Sequence, residues 1–417
     1  MTQSFVTSNF RLIFALASCL ALPIAIRAQS AGCAVMSTGP GASLNGFVPF
    51  NSSSLWNLEI SKAAVDPNSG NIIQFIGPTT TLHPDFGSGE YAGSTIGIPY
   101  QVEADTQPRV NIHLGAYADE SDPGPASVPR NALIEGYPNP GNGDRHVLVL
   151  EKKDCWLYEL YDAQLNSDGT WNAASAALWD LLGNDQRPYT WTSADAAGLP
   201  IFPGLVRYDE VSSGAVKHAF RYTLPTTREA FVLPATHWAS SETNPDAPPM
   251  GMRLRLKASV DVSGFSQTNQ VILTALKKYG MFLADNGSGI FLSGAPDNRW
   301  NNDDLSALKN LTAADFEVVK MDTIYTPATV PTGPPPVIQS FTAKPSSISA
   351  GTSVQLCWAV KDSEYNIIDP TLGAVRGDSA VVKPTHTTTY LLIATNQFGR
   401  SSRSVTVTVK NPYCPTG

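Results

Sequence analysis

The sequence predicts a mainly β protein, α+β in detail, with a large sandwich-like or jelly-roll-like domain followed by a small β-sandwich. Gly and Pro each occur 32 times in 417 residues, whereas charged residues make up only 15%. That balance is typical of β-rich chains with many turns. Apolar runs of strand length recur along the chain, and the clearest helical spacing begins only after Ser266.

The first segment, 1–28, has the pattern of an export signal. Arg11 is the only charge before an apolar stretch from 12 to 26, and Ala28 suits the end of a cleaved signal. The stretch is too short to favour a spanning helix, and no later stretch is long enough. We therefore expect a secreted protein without a transmembrane segment in its mature chain. A lipid anchor at the cell envelope through Cys19 is the alternative.

Four cysteines follow the signal: Cys33, Cys155, Cys357 and Cys414. An even number in an exported chain is compatible with disulfides, and the spacing does not match a metal knuckle. The pairs Cys33–Cys155 and Cys357–Cys414 would each stay within or beside one predicted domain. Four cysteines permit three pairings, and reduced, buried cysteines are a further alternative.

Charge and motifs exclude several function classes. The net charge of −8, without any basic cluster, argues against nucleic acid as a partner. The chain has no Gly-x-Ser-x-Gly elbow, phosphate-binding loop, His-Glu-x-x-His zinc helix or dinucleotide fingerprint. Common nucleotide-dependent chemistry and motif-bearing hydrolases are therefore disfavoured.

Two apolar runs, 146–151 and 155–161, flank a Lys-Lys-Asp segment and predict a β-hairpin. A two-residue turn at the lysines would place His146 opposite Glu159. Both faces of the hairpin are mostly apolar, which is typical of central strands covered on each side. We therefore expect the hairpin to lie at the centre of the large domain.

Other elements follow from local spacing. Segments 96–102 and 109–114 predict strands before the hairpin, and 173–182 predicts a short helix after it. The segment after Ser266 carries an i, i+3, i+4, i+7 apolar stripe, which predicts an amphipathic helix. Turn residues at 285–288 predict a hairpin between the apolar runs on either side.

The Pro-rich segment 325–337 predicts a semi-rigid linker between a large domain, 33–324, and a small one, 338–410. Short, evenly spaced strands in the small domain predict an antiparallel sandwich. Its phrases GTSVQLCWAV and VVKPTHTTTYLLIATNQFG closely resemble the bacterial immunoglobulin-like domains of secreted and surface proteins. The resemblance gives Trp358 and Tyr390 packing roles and implies no catalysis.

The large domain carries a second resemblance. Its phrases RHVLVLEKKDCWLYELYDA, WTSADAAGLPIFPGLVRYDEV and PPMGMRLRLKA resemble a family of secreted bacterial proteins usually left uncharacterised. The resemblance spans most of residues 40–320 and brings no known activity with it. It implies one continuous domain.

His146 with Glu159 is the most specific catalytic candidate. A carboxylate facing an imidazole can orient it as a general base, and the same pair can ligate a metal. Glu135, in the preceding segment, is a candidate third group. The alternative is a buried, hydrogen-bonded pair that fixes the register of the strands.

Carboxylates beside aromatic residues form a second set of candidates. Sugar sites combine aromatic faces with polar groups, and glycoside hydrolysis needs paired carboxylates. Asp195, Asp209 and Glu210 are candidates for the acid and its partner, with first-turn helix charges and an Arg207–Asp209 ion pair as structural alternatives. The candidate ligand-binding residues are Trp191, Arg207, Tyr208, His237, Asp285 and Trp300.

The acidic loop with Asp119, Glu120 and Asp122 is a candidate calcium site, because hard cations prefer several oxygens close together. Its spacing is not that of an EF-hand loop, and a solvated turn is the alternative. No other cofactor is indicated.

Two functions from different classes fit these features. The first is a secreted bacterial protein that binds or acts on an extracellular polysaccharide or cell-surface glycan, as a hydrolase or lyase with carboxylate and His chemistry if it is an enzyme. The alternative is a non-catalytic surface, adhesion or structural protein with an immunoglobulin-like accessory module. Convergence of the candidate residues on one pocket would favour the first.

Overall fold

The computed structural model describes residues 31–104 and 106–410, and its mainly β class confirms the expectation. The predicted signal, Cys19 and Cys414 lie outside these residues. Within them, no helix combines the length and the hydropathy of a membrane span. The described α-helices are α1 (Ala31–Ala34), α2 (Ser69–Ile76), α3 (Tyr208–Ser212), α4 (Gln267–Lys278) and α5 (Asn302–Ser306).

The strands of the large domain, in chain order, are β1 (Gly39–Pro40), β2 (Leu82–Asp85), β3 (Glu90–Tyr91), β4 (Ser94–Thr95), β5 (Tyr100–Glu103), β6 (Ile112–Leu114), β7 (Val147–Glu151), β8 (Trp156–Tyr161), β9 (Gln164–Leu165), β10 (Trp171–Ala173), β11 (Ser175–Asp180), β12 (Phe220–Leu224), β13 (Arg228–Phe231), β14 (Pro249–Met250), β15 (Arg253–Leu256), β16 (Met281–Asn286), β17 (Ile290–Ser293) and β18 (Phe316–Val318). They form two principal sheets, a five-stranded one in the order β1-β5-β7-β8-β11 and a six-stranded one in the order β18-β15-β16-β12-β17-β2. Both sheets mix parallel and antiparallel pairs.

The predicted hairpin, β7–β8, lies at the centre of the five-stranded sheet, but its register differs from the expectation. Leu148, and not His146, lies opposite Glu159. The connection covers residues 152–155 and is longer than a two-residue turn. The pairing moves by two residues, which keeps each side chain on its predicted face because side chains alternate along a strand.

Both faces of the hairpin are covered, as the apolar pattern predicts. One face packs Leu150 and Leu157 against Phe202 in one buried apolar cluster. The other face packs Val149 and Tyr158 into a second cluster that includes residues of the C-terminal domain. Full burial of each such side chain stabilises the fold by about 1.5–3 kcal/mol.

Local predictions elsewhere had different outcomes. The helix after Ser266 is α4, and the Ser266 side chain caps it by accepting a hydrogen bond from the Asn269 N–H at 3.1 Å. The helix predicted at 173–182 is wrong, because β11 pairs with β8 and tertiary pairing overrides a weak helix preference. The hairpin predicted around 285–288 is also wrong, since β12 lies between β16 and β17.

The C-terminal domain is a two-sheet sandwich. Its two sheets have the orders β19-β21-β24 and β20-β26-β25-β22-β23. Trp358 and Tyr390 are buried in the core between them, where their large rings fill the space that two facing sheets leave. Its strands are β19 (Val337–Lys344), β20 (Ser347–Ser349), β21 (Val354–Lys361), β22 (Tyr365–Asp369), β23 (Gly373–Val375), β24 (Ser379–Val382), β25 (Thr388–Asn396) and β26 (Gly399–Lys410).

The sandwich packs directly on the large domain. Ile367 belongs to the cluster that covers the outer face of the hairpin. The Tyr365 hydroxyl donates to Asp122 Oδ1 at 2.7 Å, and the Arg376 guanidinium pairs with Asp180 and lies 4.2 Å from the Trp156 ring centroid. The two domains therefore share an apolar core and polar contacts at its rim.

A disulfide joins Cys33 to Cys155, as one of the predicted pairings requires. It ties the first described helix to the connection between β7 and β8. In the same region the Lys152 ammonium donates to the Met36 carbonyl at 2.6 Å. The bridge therefore attaches the N-terminal segment to the central hairpin.

Replacing Cys33 and Cys155 by Ser should lower the free energy of unfolding by about 2–5 kcal/mol, because the bridge closes a loop of 122 residues and restricts the unfolded chain. Urea denaturation of the oxidised proteins measures the change. The single Cys33→Ser variant serves as an internal control and should lose as much stability as the double variant. Unchanged midpoints in both variants would contradict the assignment.

Candidate functional site

A pocket of about 170 Å³ is lined by strand ends from both principal sheets. Tyr161 ends β8 and Ser175 begins β11 in the five-stranded sheet, while Asp285 and Asn286 end β16 in the six-stranded sheet. Polar groups from separate elements therefore converge at one place. The other lining residues lie in loops and are Tyr117, Asp144, Thr192, Ser193, Ala194, Asp195, Ala196, His237 and Ala239.

A β-bulge places Asp285 in the pocket. Tyr222 pairs with Leu283 and Thr223 pairs with Asp285, so Ala284 is an extra residue in β16. Its carbonyl accepts a hydrogen bond from the Ala197 N–H at 2.9 Å, which joins the strand to the loop that carries Asp195. Bulges change the direction of the side chains that follow them. Asp285 directly follows this bulge and lines the same pocket as Asp195.

Asp195 is held by a buried two-point ion pair. Its Oδ2 accepts from Arg221 Nε at 3.0 Å and its Oδ1 from Arg221 Nη2 at 2.8 Å. Arg221 lies in β12 and also donates to Ser293 Oγ at 2.6 Å. Because both side chains are buried, each charge depends on the other for compensation.

Asp285 has the electrostatics of a proton donor. Burial and the neighbouring charge of Asp195 raise its pKa to about 7, although Arg221, whose Nη2 lies 4.0 Å from Asp285 Oδ2, opposes the shift. The carboxyl group is therefore partly protonated near neutral pH. Such a group can give a proton to a leaving oxygen.

Two histidines hold the loop on either side of Asp195. His146 Nε2 donates to the Ala194 carbonyl at 3.0 Å, and His237 Nδ1 donates to the Ala196 carbonyl at 2.8 Å. Because Nδ1 of His237 is a donor, its neutral ring carries the lone pair on Nε2. His237 thus lines the pocket with a nitrogen that can accept a hydrogen bond.

His146 lies behind this loop in an ion pair with Glu135. Its Nδ1 is 2.6 Å from Glu135 Oε2. Burial alone would lower the pKa of His146, but the charge and hydrogen bond of Glu135, with the charge of Asp144, raise it to about 9. The imidazolium also lowers the pKa of Glu135 against the opposing effect of burial. His146 is therefore a charged positioning group at neutral pH.

Glu135, Asp144 and His146 have side-chain ligand atoms within 4.8 Å of one another, and no other group of three within the described residues meets that criterion. A metal would have to displace the proton on His146 Nδ1. The raised pKa of His146 opposes that loss at neutral pH. The arrangement favours an ion pair over a metal centre.

Glu159 does not pair with His146, which corrects the principal catalytic expectation. Its carboxylate accepts hydrogen bonds from Trp179 Nε1 at 3.0 Å and from the N–H groups of Ile201 and Phe202. The register of the hairpin places it opposite Leu148. Buried donors therefore occupy both of its oxygens, and it does not line the pocket.

Asp209 and Glu210 lie in a different cavity of about 280 Å³, which Arg207 also lines. Asp209 pairs with Arg299 at 2.9 Å, and Glu210 pairs with Arg207 at 2.7 Å and with a buried histidine. The Arg207–Asp209 pair anticipated from the sequence is therefore replaced by other partners. Tyr208 makes an edge contact with the buried Trp300 at 4.9 Å between ring centroids, which is a packing role.

The remaining candidates also have protein partners. The Trp191 ring lies near the guanidinium groups of Arg187 and Arg400, which are 5.6 and 5.2 Å from its centroid. Asp122 accepts from Arg187 Nη1 at 2.6 Å, and Glu120 accepts from the Thr192 N–H at 2.7 Å. The acidic loop contributes no three-residue ligand group among the described residues. These contacts favour a structural role for the loop over a calcium site.

The structure thus brings Asp195, His237 and Asp285 together in one pocket, with His146 behind them. Sequence reasoning missed Arg221 and Asp144. A signal for Arg221 was present, because a lone cation inside an apolar strand such as FRYTL requires a buried partner. Asp144 lies in a turn without any distinctive pattern.

No family model matches the chain, and no curated protein sequence matches it. The function of the pocket is therefore inferred from its own side chains and their geometry.

The His146–Glu135 pair should make stability depend on pH. Its contribution is fully present below the ordinary His pKa of about 6.5 and is lost as the pH rises through the folded value of about 9. The shift corresponds to at most about 3 kcal/mol. Glu135→Gln should destabilise the protein most at low pH and flatten the dependence.

Urea denaturation at pH 6, 7.5 and 9 measures this effect. His113→Gln is the matched control, because His113 is an exposed histidine outside the pocket, and it should leave the wild-type slope unchanged. A Glu135→Gln protein that kept the wild-type slope would show that the pair does not carry the pH dependence.

Proposed function

We propose that the chain is an exported protein that hydrolyses glycosidic bonds of an extracellular polysaccharide in the pocket described above. Asp285 acts as the general acid and Asp144 as its carboxylate partner. The proposal rests on the presence of both carboxyl groups in one pocket. Asp285 is partly protonated near neutral pH, and Asp144 is exposed to solvent. Glycoside hydrolysis requires two carboxyl groups in such complementary states.

The acid depends on charges that surround it. Burial and then the charge of Asp195 raise the pKa of Asp285, and Arg221 holds Asp195 in place through two hydrogen bonds. Asp195 is therefore a positioning group in this proposal, because both of its oxygens are bound by Arg221. As the glycosidic bond breaks, the proton on Asp285 passes to the oxygen of the leaving sugar. The oxygen of a water molecule bonds to the anomeric carbon, and Asp144 takes the proton that this water loses.

Tyr161 links the two carboxyl groups of the proposal. Burial, followed by the charges of Asp144, Tyr117 and Asp285, raises the pKa of its phenol. The phenol is therefore within electrostatic range of both carboxylates. Its ring and that of the exposed Tyr117 offer aromatic surface to a sugar, and His237 Nε2 offers an acceptor for a hydroxyl group.

The setting supports the proposal. The Cys33–Cys155 disulfide suits an oxidising compartment, in keeping with the export signal expected in the sequence. The C-terminal sandwich, with Trp358 and Tyr390 in its core, agrees with the immunoglobulin-like resemblance. Accessory sandwiches of this kind occur with many functions, so this support is by analogy.

A second candidate is a non-catalytic glycan-binding surface protein. Both nitrogens of His146 and both oxygens of Asp195 are bound to protein partners. These groups hold the loop rigidly and leave the pocket suited to recognition. In that case the protein would retain a glycan on an array without releasing new reducing ends.

The experiment is a reducing-end assay of the full mature chain against a panel of polysaccharides. Asp285→Asn and Asp144→Asn should each lower the rate on a cleaved polymer by about 10²–10⁴-fold, because they remove the acid and its partner. The wild-type rate should fall as the pH rises through about 7, where Asp285 loses its proton.

Asp209→Asn is the matched control, since Asp209 is a carboxylate in a different cavity. It should retain the wild-type rate. Full activity in Asp285→Asn would refute the proposed acid. Binding of a glycan without cleavage would favour the second candidate, and release of unsaturated ends would identify a lyase instead.

A further inference from the structure

One buried arginine in the described residues differs from the others. Five arginine side chains are buried there, and Arg253 alone has no carboxylate within 4.0 Å. Unpaired charges are expensive to bury, so such a group calls for an explanation. The four buried ion pairs are Arg187–Asp122, Arg207–Glu210, Arg221–Asp195 and Arg255–Glu317.

Backbone carbonyls occupy part of the Arg253 guanidinium. Nε donates to the Tyr279 carbonyl at the end of α4 at 2.7 Å, and Nη2 donates to the Leu58 carbonyl at 3.0 Å. The guanidinium lies over the Phe282 ring, 4.7 Å from its centroid. Nη1 makes no hydrogen bond to any described residue, yet it is not one of the fully enclosed unpaired atoms. Nη1 therefore keeps some accessible surface and has N–H groups that no described residue accepts from.

Arg253 lines a cavity of about 330 Å³ that shares no lining residue with the carboxylate pocket. The walls are largely apolar. Leu55, Leu58 and Leu233 line it and are 37%, 45% and 37% exposed, so three exposed leucines meet at one cavity. The volume lies at the lower end of the range for sites that bind small molecules.

A buried cation beside exposed leucines defines the chemistry of the occupant. The cation requires one negative charge, and the leucines favour a flexible apolar chain. We propose that this cavity binds a medium-chain aliphatic carboxylate, with its head on Arg253 Nη1 and its chain along Leu55, Leu58 and Leu233. The electrostatics agree, because burial lowers the pKa of Arg253 to about 9 with no carboxylate opposing it.

The site is independent of the proposed glycan chemistry. Its two exposed charged residues, Lys320 and Asp322, have opposite signs and leave Arg253 as the source of net charge. An anion on Nη1 would complete the pairing that the other buried arginines already have. The occupant therefore stabilises the folded protein as well as binding to it.

Isothermal titration calorimetry of the full mature chain with decanoate, decanol and decyltrimethylammonium tests the proposal. Decanoate should bind with a negative heat-capacity change from burial of its chain. Decanol should bind about tenfold or more weakly, because it lacks the charge that Arg253 pairs with. Decyltrimethylammonium should not bind.

Variants separate the head and chain contacts. Arg253→Gln should weaken decanoate about tenfold or more, and Arg253→Lys should restore part of the loss. Leu233→Asp, at an exposed position, should block the chain without removing the backbone contacts of Arg253. Lys62→Gln, which removes an exposed cation outside the cavity, should change nothing.

Thermal melts without ligand establish that each variant is folded. Decanoate should raise the melting temperature of the wild type more than that of Arg253→Gln or Leu233→Asp. Equal affinity for decanoate and decanol would overturn the proposal, as would unchanged decanoate binding in both Arg253→Gln and Leu233→Asp. The proposal would also be overturned if decanoate did not bind. The same holds if a hydrophobic peptide with a free carboxyl terminus bound in its place.

Discussion

The buried ion pair between Asp195 and Arg221 is the constraint on which the centre of the large domain depends. Arg221 lies in the six-stranded sheet, and Asp195 lies in the loop that follows the five-stranded sheet. Each charge would cost several kcal/mol if it were buried alone, so the two sheets and the loop must keep one relative position. The pair thereby fixes the geometry of the pocket and sets the charge environment of Asp285.

The loop around Asp195 shows how backbone groups become part of a site. His146 and His237 bind the carbonyls of Ala194 and Ala196, the residues on either side of the carboxylate. The bulge in β16 accepts a further hydrogen bond from the same loop. A loop held at this many points loses little conformational entropy when a ligand arrives, which favours binding and orientation.

The C-terminal sandwich has a structural role in the large domain. It covers the outer face of the central hairpin, so removing it would expose apolar surface on β7 and β8. Its Tyr365 hydroxyl also completes the hydrogen bonding of Asp122, which in turn holds Arg187. The carboxylate pocket is lined by the large domain alone, and the Arg253 cavity is lined by the large domain and by Tyr325 at the start of the linker, so neither uses a residue of the C-terminal sandwich.

The sequence by itself determined the mainly β class, the apolar faces of the central hairpin and the amphipathic helix α4, because these depend on composition, on a two-residue alternation and on a helical spacing of apolar residues. It also selected Asp195, His237 and Asp285 as candidates. Only the tertiary structure decided that these residues share a pocket and which residue pairs with His146. It also decided that β12 lies in the sheet between β16 and β17, two strands that follow each other in the chain. Register shifts, sheet order and buried ion pairs join residues far apart in the chain, and local patterns contain no distances between them.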